Sequence, residues 1–246
     1  MNVTAIDAFG RRAPEYASGR PDYPEALLKD LPPARVIVEL GAGTGKLTRR
    51  IARTGARVVA IEPQAAMAAH IEPAANVEVI IGTAEGIPLP DASADLVCSA
   101  TAFHWFDYDR ATAEILRIAR PGAPLALIWN KRDARVPWVD DINCLLESYR
   151  PPGTPHRDAG AVERILNDPR FQLLRQRECP FEHRMPPAGI IDRVLSTSYI
   201  AALALAEQED VVQKARGIIA AHPELAGAAE IGFPYVSKLY LLHCRA

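Results

Sequence analysis

Three groups of residues in this chain have types and spacings that could do chemistry. Gly41, Gly43 and Gly45 stand at alternate positions behind the apolar run Val36-Ile37-Val38-Glu39-Leu40, and Glu62 follows roughly 20 residues later. Alternating glycines let a backbone turn tightly and come close to a ligand, with its N–H groups and the next helix start facing that ligand. A carboxylate at the end of the following strand can accept from ribose hydroxyls, so the pair describes a nucleoside site. Glu62 taken alone also reads as a solvated acid at a helix start. The second group is Phe103-His104-Trp105-Phe106-Asp107, a run of aromatics around a histidine. Aromatic faces attract cations, and a histidine can move a proton near neutral pH. The third is the Pro-broken segment Ala13–Pro24, which carries Tyr16, Arg20 and Tyr23.

The glycine spacing separates three nucleotide motifs. A phosphate loop needs a first Gly where Leu40 stands and a magnesium-binding hydroxyl where Leu47 stands, so it is excluded although Gly45-Lys46 would fit. A dinucleotide fingerprint needs a small residue where Lys46 stands. That substitution, with no hydride-transfer constellation in view, leaves an NAD-linked oxidoreductase as a disfavoured alternative. Glu39-Leu40-Gly41-Ala42-Gly43-Thr44-Gly45 matches the third pattern, Glu-x-Gly-x-Gly-x-Gly, in full. It resembles motif I of the class I S-adenosylmethionine (SAM) dependent methyltransferases, in the small-molecule branch that carries a Phe-His-Trp-Phe-Asp run after strand four. Enzymes of ubiquinone, biotin and trans-aconitate type share that core.

The resemblance implies a doubly wound α/β fold, Rossmann-like, with a seven-stranded sheet whose last strand runs antiparallel between strands five and six. It implies SAM as cofactor and S-adenosylhomocysteine (SAH) as product. Glu39, Gly41, Ala42, Gly43 and Gly45 would cradle the cofactor, Glu62 and Pro63 would meet the ribose, and Met67 would pack on the adenine. Ile81-Gly82-Thr83-Ala84-Glu85-Gly86-Ile87-Pro88 resembles the family's adenine loop, which puts Thr83, Ala84 and Glu85 there. Thr83 departs from the family's Asp, leaving a hydroxyl that accepts without charge assistance. Ala100 and Phe103 would border the sulfonium, while Tyr16 and Arg20 would fold over the cofactor, Arg20 on the methionyl carboxylate. For Arg20 a surface salt bridge is the competing account.

His104 has two readings, a base for the acceptor or a structural histidine. Trp105, Phe106, Trp129, Asn130, Trp138 and Tyr199 are candidates for the acceptor pocket, with core packing as the alternative for each. The expected reaction is transfer of the SAM methyl to an oxygen, nitrogen or carbon of a small molecule, with a carboxylate or hydroxyl among the possible acceptors. A SAM-binding module without catalysis would carry the same motifs.

These residues need strands and helices to hold them. Val36–Leu40 reads as a parallel strand covered on both faces, and Arg57–Ile61, Val77–Ile81, Asp95–Ser99 and Ala123–Trp129 as further strands of a doubly wound sheet. Between them, Leu47 and Ile51 mark a helix stopped by Gly55, Ala65–Ile71 a second, and Asp107–Arg120 a third ended by Pro121-Gly122. Beyond Trp129, helices are expected at Val136–Tyr149, Gly189–Leu195 and Glu207–Ala221, a loop at Pro151–Pro155, and strands at Phe171–Phe181 and Ile231–Cys244.

The 246 residues, 49% of them hydrophobic, suit one domain: 1–34 covering the cofactor, 35–129 binding it, and 130–246 building the acceptor pocket and sheet edge. A net charge of −2 without a basic stripe argues against nucleic acid. No stretch approaches the ~20 apolar residues of a membrane span, so a soluble, cytoplasmic protein is expected. Cys98, Cys144, Cys179 and Cys244 are too scattered for a zinc site or a disulfide framework and read as buried thiols, and no metal is expected. Oligomeric state is not legible.

Overall fold

The computed structural model describes residues 19–151 and 157–245. In chain order the elements are α1 (Glu25–Leu28), β1 (Val36–Leu40), α2 (Thr48–Ala52), β2 (Arg57–Glu62), α3 (Ala65–Ala68), β3 (Val77–Ile81), β4 (Leu96–Ala100), a 3-10 turn (Phe103–Trp105) and α4 (Tyr108–Ile118). There follow β5 (Pro124–Arg132), α5 (Pro137–Ser148), α6 (Arg157–Leu166), β6 (Phe171–Met185), α7 (Ala188–Leu195), α8 (Ser198–Ala201), α9 (Leu205–Ala221) and β7 (Ile231–Cys244).

Apolar strands buried on both faces form the centre. β1 to β5 pair in parallel, and the sheet order is β3-β2-β1-β4-β5-β7-β6, with β7 antiparallel to both neighbours. The strand order reverses between β1 and β4. Such a switch point opens a crevice beyond the carboxyl ends of the two strands, which puts Gly41 and Thr101 on facing lips.

Each sheet face has its own apolar layer. On one, Val38, Leu40, Val97, Leu125 and Leu127 pack under Ala111, Ile115 and Ile118 of α4. On the other, Ile37, Val58, Leu96 and Ile128 pack under Leu27 of α1 and Leu47 and Ile51 beside α2. A separate core lies beyond the sheet. Trp138, Ile142 and Leu146 of α5, Ile190 and Val194 of α7 and Val211 of α9 close over Phe233 and Tyr235 of β7. β7 alternates buried and part-exposed residues along its length, as a strand with unlike faces must. β6 is the exposed edge, and Pro180 within it is tolerated for that reason.

Several expectations are corrected. The helix after the glycine turn is only Thr48–Ala52, because turns run through Leu47 and Gly55 (φ 83°) stops it. The helix begun at Ala65 ends at Ala68, though Met67 and Ile71 are both buried. β5 runs on to Arg132, across the boundary expected at 129. α1, α6 and α8 were not legible; α1 and α8 are single turns of four residues, too short to show a period. Of the thiols, Cys98 and Cys244 are buried, but Cys144 is exposed and Cys179 is intermediate. Most of the loop expected at Pro151–Pro155 lies outside the described residues. Among the described residues no helix is long and apolar enough to cross a membrane.

Candidate active site

The site begins with backbone geometry. Leu40 ends β1, and the chain leaves it through Gly41 at φ 71°, Gly43 at φ 60° and Gly45 at φ 79°, a left-handed region costly to other residues. Gly41 also has no room for a side chain: a Cβ there would sit 2.5 Å from the Ala102 Cβ and 3.5 Å from the Phe106 ring. The Gly41 and Ala42 amides donate to the Ile61 carbonyl at 2.8 and 3.1 Å, tying the turn to the end of β2.

Glu62, at that strand end, is buried and accepts from the Gly43 amide at 2.8 Å and from the Gln64 amide at 3.0 Å. Burial raises its pKa, and the two amides oppose the rise. Its oxygens retain lone pairs beyond those two bonds. Glu39 is 1% exposed and accepts from the Thr48 hydroxyl at 2.6 Å. Burial pushes its pKa up to about 8, against the Thr48 hydrogen bond and with help from the negative charge of Glu62.

A cleft follows from these lips. Glu39, Gly41, Ala42, Gly43, Thr44 and Lys46 line one side, Ala100 and Thr101 the other, and Arg20, Tyr23, Asn130, Arg193 and Tyr235 the end away from the glycines. Thr101 is β-branched yet sits at φ 54°, which strains the backbone where β4 leaves the sheet. Its amide is held by the Ile128 carbonyl at 2.7 Å, and its hydroxyl lies 3.3 Å from the Tyr23 hydroxyl. The strap carrying Arg20 and Tyr23 is pinned by Asp22, which pairs with Arg49 at 2.6 Å and Arg50 at 3.1 Å and receives the Asn130 amide on its carbonyl at 3.0 Å. Burial works against ionised Asp22, but Arg49 and Arg50 hold its pKa below the usual carboxylate range.

The other expected residues distribute as follows. Tyr16 lies outside the described residues. Arg20 donates to the Ser196 carbonyl at 2.8 Å. Met67 is buried, its methyl 3.8 Å from where a Gly43 Cβ would be, and thus near the turn. Pro63 sits between Glu62 and the Gln64 cap of α3. Thr83 bridges to Gly86, Ala84 is buried, and Glu85 accepts from the Asp107 amide at 2.8 Å, bracing the start of α4. Phe103 is buried edge-on against Phe106 and Tyr108, 5.8 and 6.0 Å between centroids.

His104 is fixed by Trp129, whose buried indole N–H donates to its Nδ1 at 3.2 Å. The Nδ1 lone pair is thereby committed, and in the neutral ring the hydrogen belongs on Nε2. Trp105 stands beside His104, 5.3 Å between ring centroids. Asn130 accepts from the Ser237 hydroxyl at 2.6 Å. Trp138 lies in the separate core, 4.8 Å from the Phe233 ring, and does not line the cleft. Tyr199 stacks under Arg150, 5.3 Å from the guanidinium carbon, and its hydroxyl is buried.

The cleft also takes in Lys46, Thr101, Arg193 and Tyr235, none of them among the expected site residues, and Tyr23 of the Pro-broken segment. Burial pulls the Lys46 pKa down, with Asp22 opposing. Thr101 was findable in principle as the residue after a parallel strand, and Arg193 as an arginine between apolar Ile190 and Val194 on a short helix. Nothing local distinguishes Tyr235 from a core tyrosine.

The comparisons agree with this architecture. Residues 38–127 match the model of a methyltransferase domain family. An uncharacterized methyltransferase of Mycobacterium tuberculosis is 36% identical over 233 residues, 94% of this chain and 93% of the relative. A malonyl-[acyl-carrier protein] O-methyltransferase of Methylococcus capsulatus is 35% identical over 134 residues, 48% of each chain. A solved structure titled as a type II methyltransferase from Anaeromyxobacter dehalogenans superposes with a TM-score of 0.71 at 28% identity, covering 92% of this chain and 97% of that one. With the glycine turn, the two acids and the antiparallel seventh strand in place, the chain belongs to the class I SAM-dependent methyltransferases.

Proposed function

We propose that this chain moves the methyl group of SAM onto an oxygen of a small-molecule acceptor and releases SAH, with the cofactor on the Gly41–Gly45 turn and the acceptor at the Arg193 end of the cleft. The observation that carries the reading is the joining of the turn to Glu62. One carboxylate oxygen braces the Gly43 amide, and the carboxylate keeps acceptor capacity on the side a ribose would occupy.

The residues present fit that cofactor. Gly41 and Gly43 keep the turn free of side chains, Met67 borders it, and the buried Glu39 carboxyl lines the same cleft, where an ammonium group would favour its ionised form. SAM supplies an activated methyl on a sulfonium, a leaving group that needs no acid. This chain's residues then have to position and desolvate, and holding an acceptor at near-attack distance, ~3 Å, supplies several kcal/mol of barrier reduction. His104, whose Nδ1 accepts the Trp129 indole N–H, acts as a fixed part of the pocket wall and not as the base. Oxygen as acceptor is favoured by the likeness to a relative named as an O-methyltransferase.

Calorimetric titration with SAM, SAH, NAD and ATP tests the cofactor. Saturable binding of the first two alone is expected, and Glu62→Gln should weaken it by roughly 1.5–3 kcal/mol, the worth of a charge-assisted hydrogen bond. Unchanged affinity in the variant removes Glu62 from the site, and binding of NAD instead of SAM overturns the reading. Binding without turnover on any acceptor would leave a regulatory SAM-binding module.

A further inference from the structure

Among the described residues three basic side chains line the cleft, and they differ in what holds them. Arg20 donates to the Ser196 carbonyl, and Arg193 donates from Nε to the Tyr235 hydroxyl and from Nη1 to the Ser196 and Thr197 hydroxyls. Lys46, at the glycine end, makes no hydrogen bond or ion pair through its ammonium among the described residues. It follows Gly45 directly, where the turn winds toward α2, and is only part-exposed. Burial disfavours its charge, Asp22 opposes that, and Arg49 adds to it. Asp22 is itself engaged by Arg49 and Arg50. A desolvated ammonium without a close counterion is relieved when an anion settles beside it. A second observation lies two residues earlier on the same side of the cleft. The Thr44 hydroxyl is buried there with no hydrogen-bond partner among the described residues, a polar group left for a ligand to satisfy.

The methionyl end of SAM or SAH is a zwitterion, an ammonium and a carboxylate on one carbon. The side of the cleft formed by the glycine turn offers the acid Glu39 and the base Lys46. An acid and a base on one wall complement that pair of charges. We infer that Lys46 seats the carboxylate of the cofactor's methionyl end, the place that the family resemblance gives to Arg20. This deepens the proposed methyl transfer and rests on it. The Arg20 guanidinium is turned instead to the carbonyl of Ser196, the cap residue at the end of α7. Lysine meets a carboxylate as a point charge on a flexible stem, so its ammonium can follow the ligand without moving the turn. A methionyl chain held at both of its charged groups has its sulfur fixed over the cleft, and the methyl with it.

The test titrates the full chain with SAH and with decarboxylated SAH, the same molecule ending in a primary amine. The wild type should bind SAH at least about tenfold more tightly than the amine. Lys46→Gln should weaken SAH at least about tenfold and move the amine less than about threefold, which collapses that preference. Lys46→Met, which keeps most of the stem, repeats the measurement should Lys46→Gln not fold. Lys46→Arg keeps a cation and should hold SAH within about threefold of the wild type. A purely structural lysine would weaken both ligands together, so equal losses overturn the inference, as does unchanged SAH affinity in Lys46→Gln. Arg20→Gln is the cross-check: if it alone abolishes the preference, the carboxylate belongs to Arg20 and the inference fails. SAH binding with no preference over the amine overturns the inference and leaves the methyltransferase reading intact. Failure of the wild-type chain to bind SAH removes both together.

Discussion

The two ends of the cleft are built differently. At the glycine end, ligand-facing groups come from a few consecutive residues and from backbone: three left-handed glycines, their amides, and the strand-end acids Glu39 and Glu62. At the far end the lining is made of side chains from separate elements, Asn130 from β5, Arg193 from α7 and Tyr235 from β7, beside a core of its own. A backbone site tolerates almost no local change because the chain path is the site. A side-chain site assembled on a separate core can exchange residues while its fold persists. The first suits a ligand shared by a family, the second an acceptor that differs between members.

That contrast can be broken by attacking each end's support. Trp138→Ala removes a buried indole packed on Phe233 and should lower stability by roughly 3–5 kcal/mol. If the cap is a separate core, chemical denaturation should show the loss while the folded fraction binds SAH with unchanged affinity. An equal fall in SAH affinity would make the two ends one unit.

Gly41→Ala is the matching change at the other end. A side chain at φ 71° with its Cβ 2.5 Å from Ala102 should disfavour the native turn by about 2–4 kcal/mol, read as lost SAH affinity in a protein of native circular dichroism. Retained affinity would mean that the turn can relax, contrary to its being the site itself.

Glu39 sharpens the comparison through pH. Its folded pKa, about 8, lies above the unfolded value of roughly 4.3, so the folded state binds the proton more tightly. The stability tied to that proton is fully present below about pH 4, falls as pH rises toward 8, and levels off above it. Glu39→Gln does not titrate, so its melting temperature should gain on the wild type between pH 6 and pH 8, by about 1–2.5 kcal/mol in unfolding free energy. A gap independent of pH would show that Glu39 is already ionised. SAM affinity of the wild type should rise over the same interval as ionised Glu39 becomes available to an ammonium.

The smallest effect is expected at His104. Glutamine can accept from the Trp129 indole and still donate, so His104→Gln should change kcat by less than about tenfold, below the 10²–10⁴ range of general acid–base catalysis. A drop of a thousandfold with loss of an acid limb in the pH profile would restore the base role.

Much of the fold was legible because each parallel strand buried on both faces is a continuous apolar run, and β7 was read at its observed bounds from its length and pattern. Short helices escaped for want of a period. The helix expected over Asp107–Arg120 is α4, with Asp107 as its N-cap, the side chain accepting from the Arg110 amide. The glycine end was legible because its chemistry is a matter of spacing within a few residues. Trp138 shows the opposite case: an aromatic beyond the core motifs suggests a pocket, and only packing shows that it turns toward Phe233.

By itself the sequence determined the turn, the acids at two strand ends and hence the cofactor class, since backbone conformation and local spacing are short-range properties. Tertiary structure alone decided that Trp129 occupies the His104 Nδ1, that Asp22 ties residues 20–23 to Arg49 and Arg50 beside the crevice, and that Arg132 and Arg193 converge on Tyr235. Residues 61 and 42 positions apart meet there because β7 runs back antiparallel beside β5 and carries its tyrosine under α7. No local pattern encodes that register; it follows from burying two apolar faces of one sheet and a third core at once.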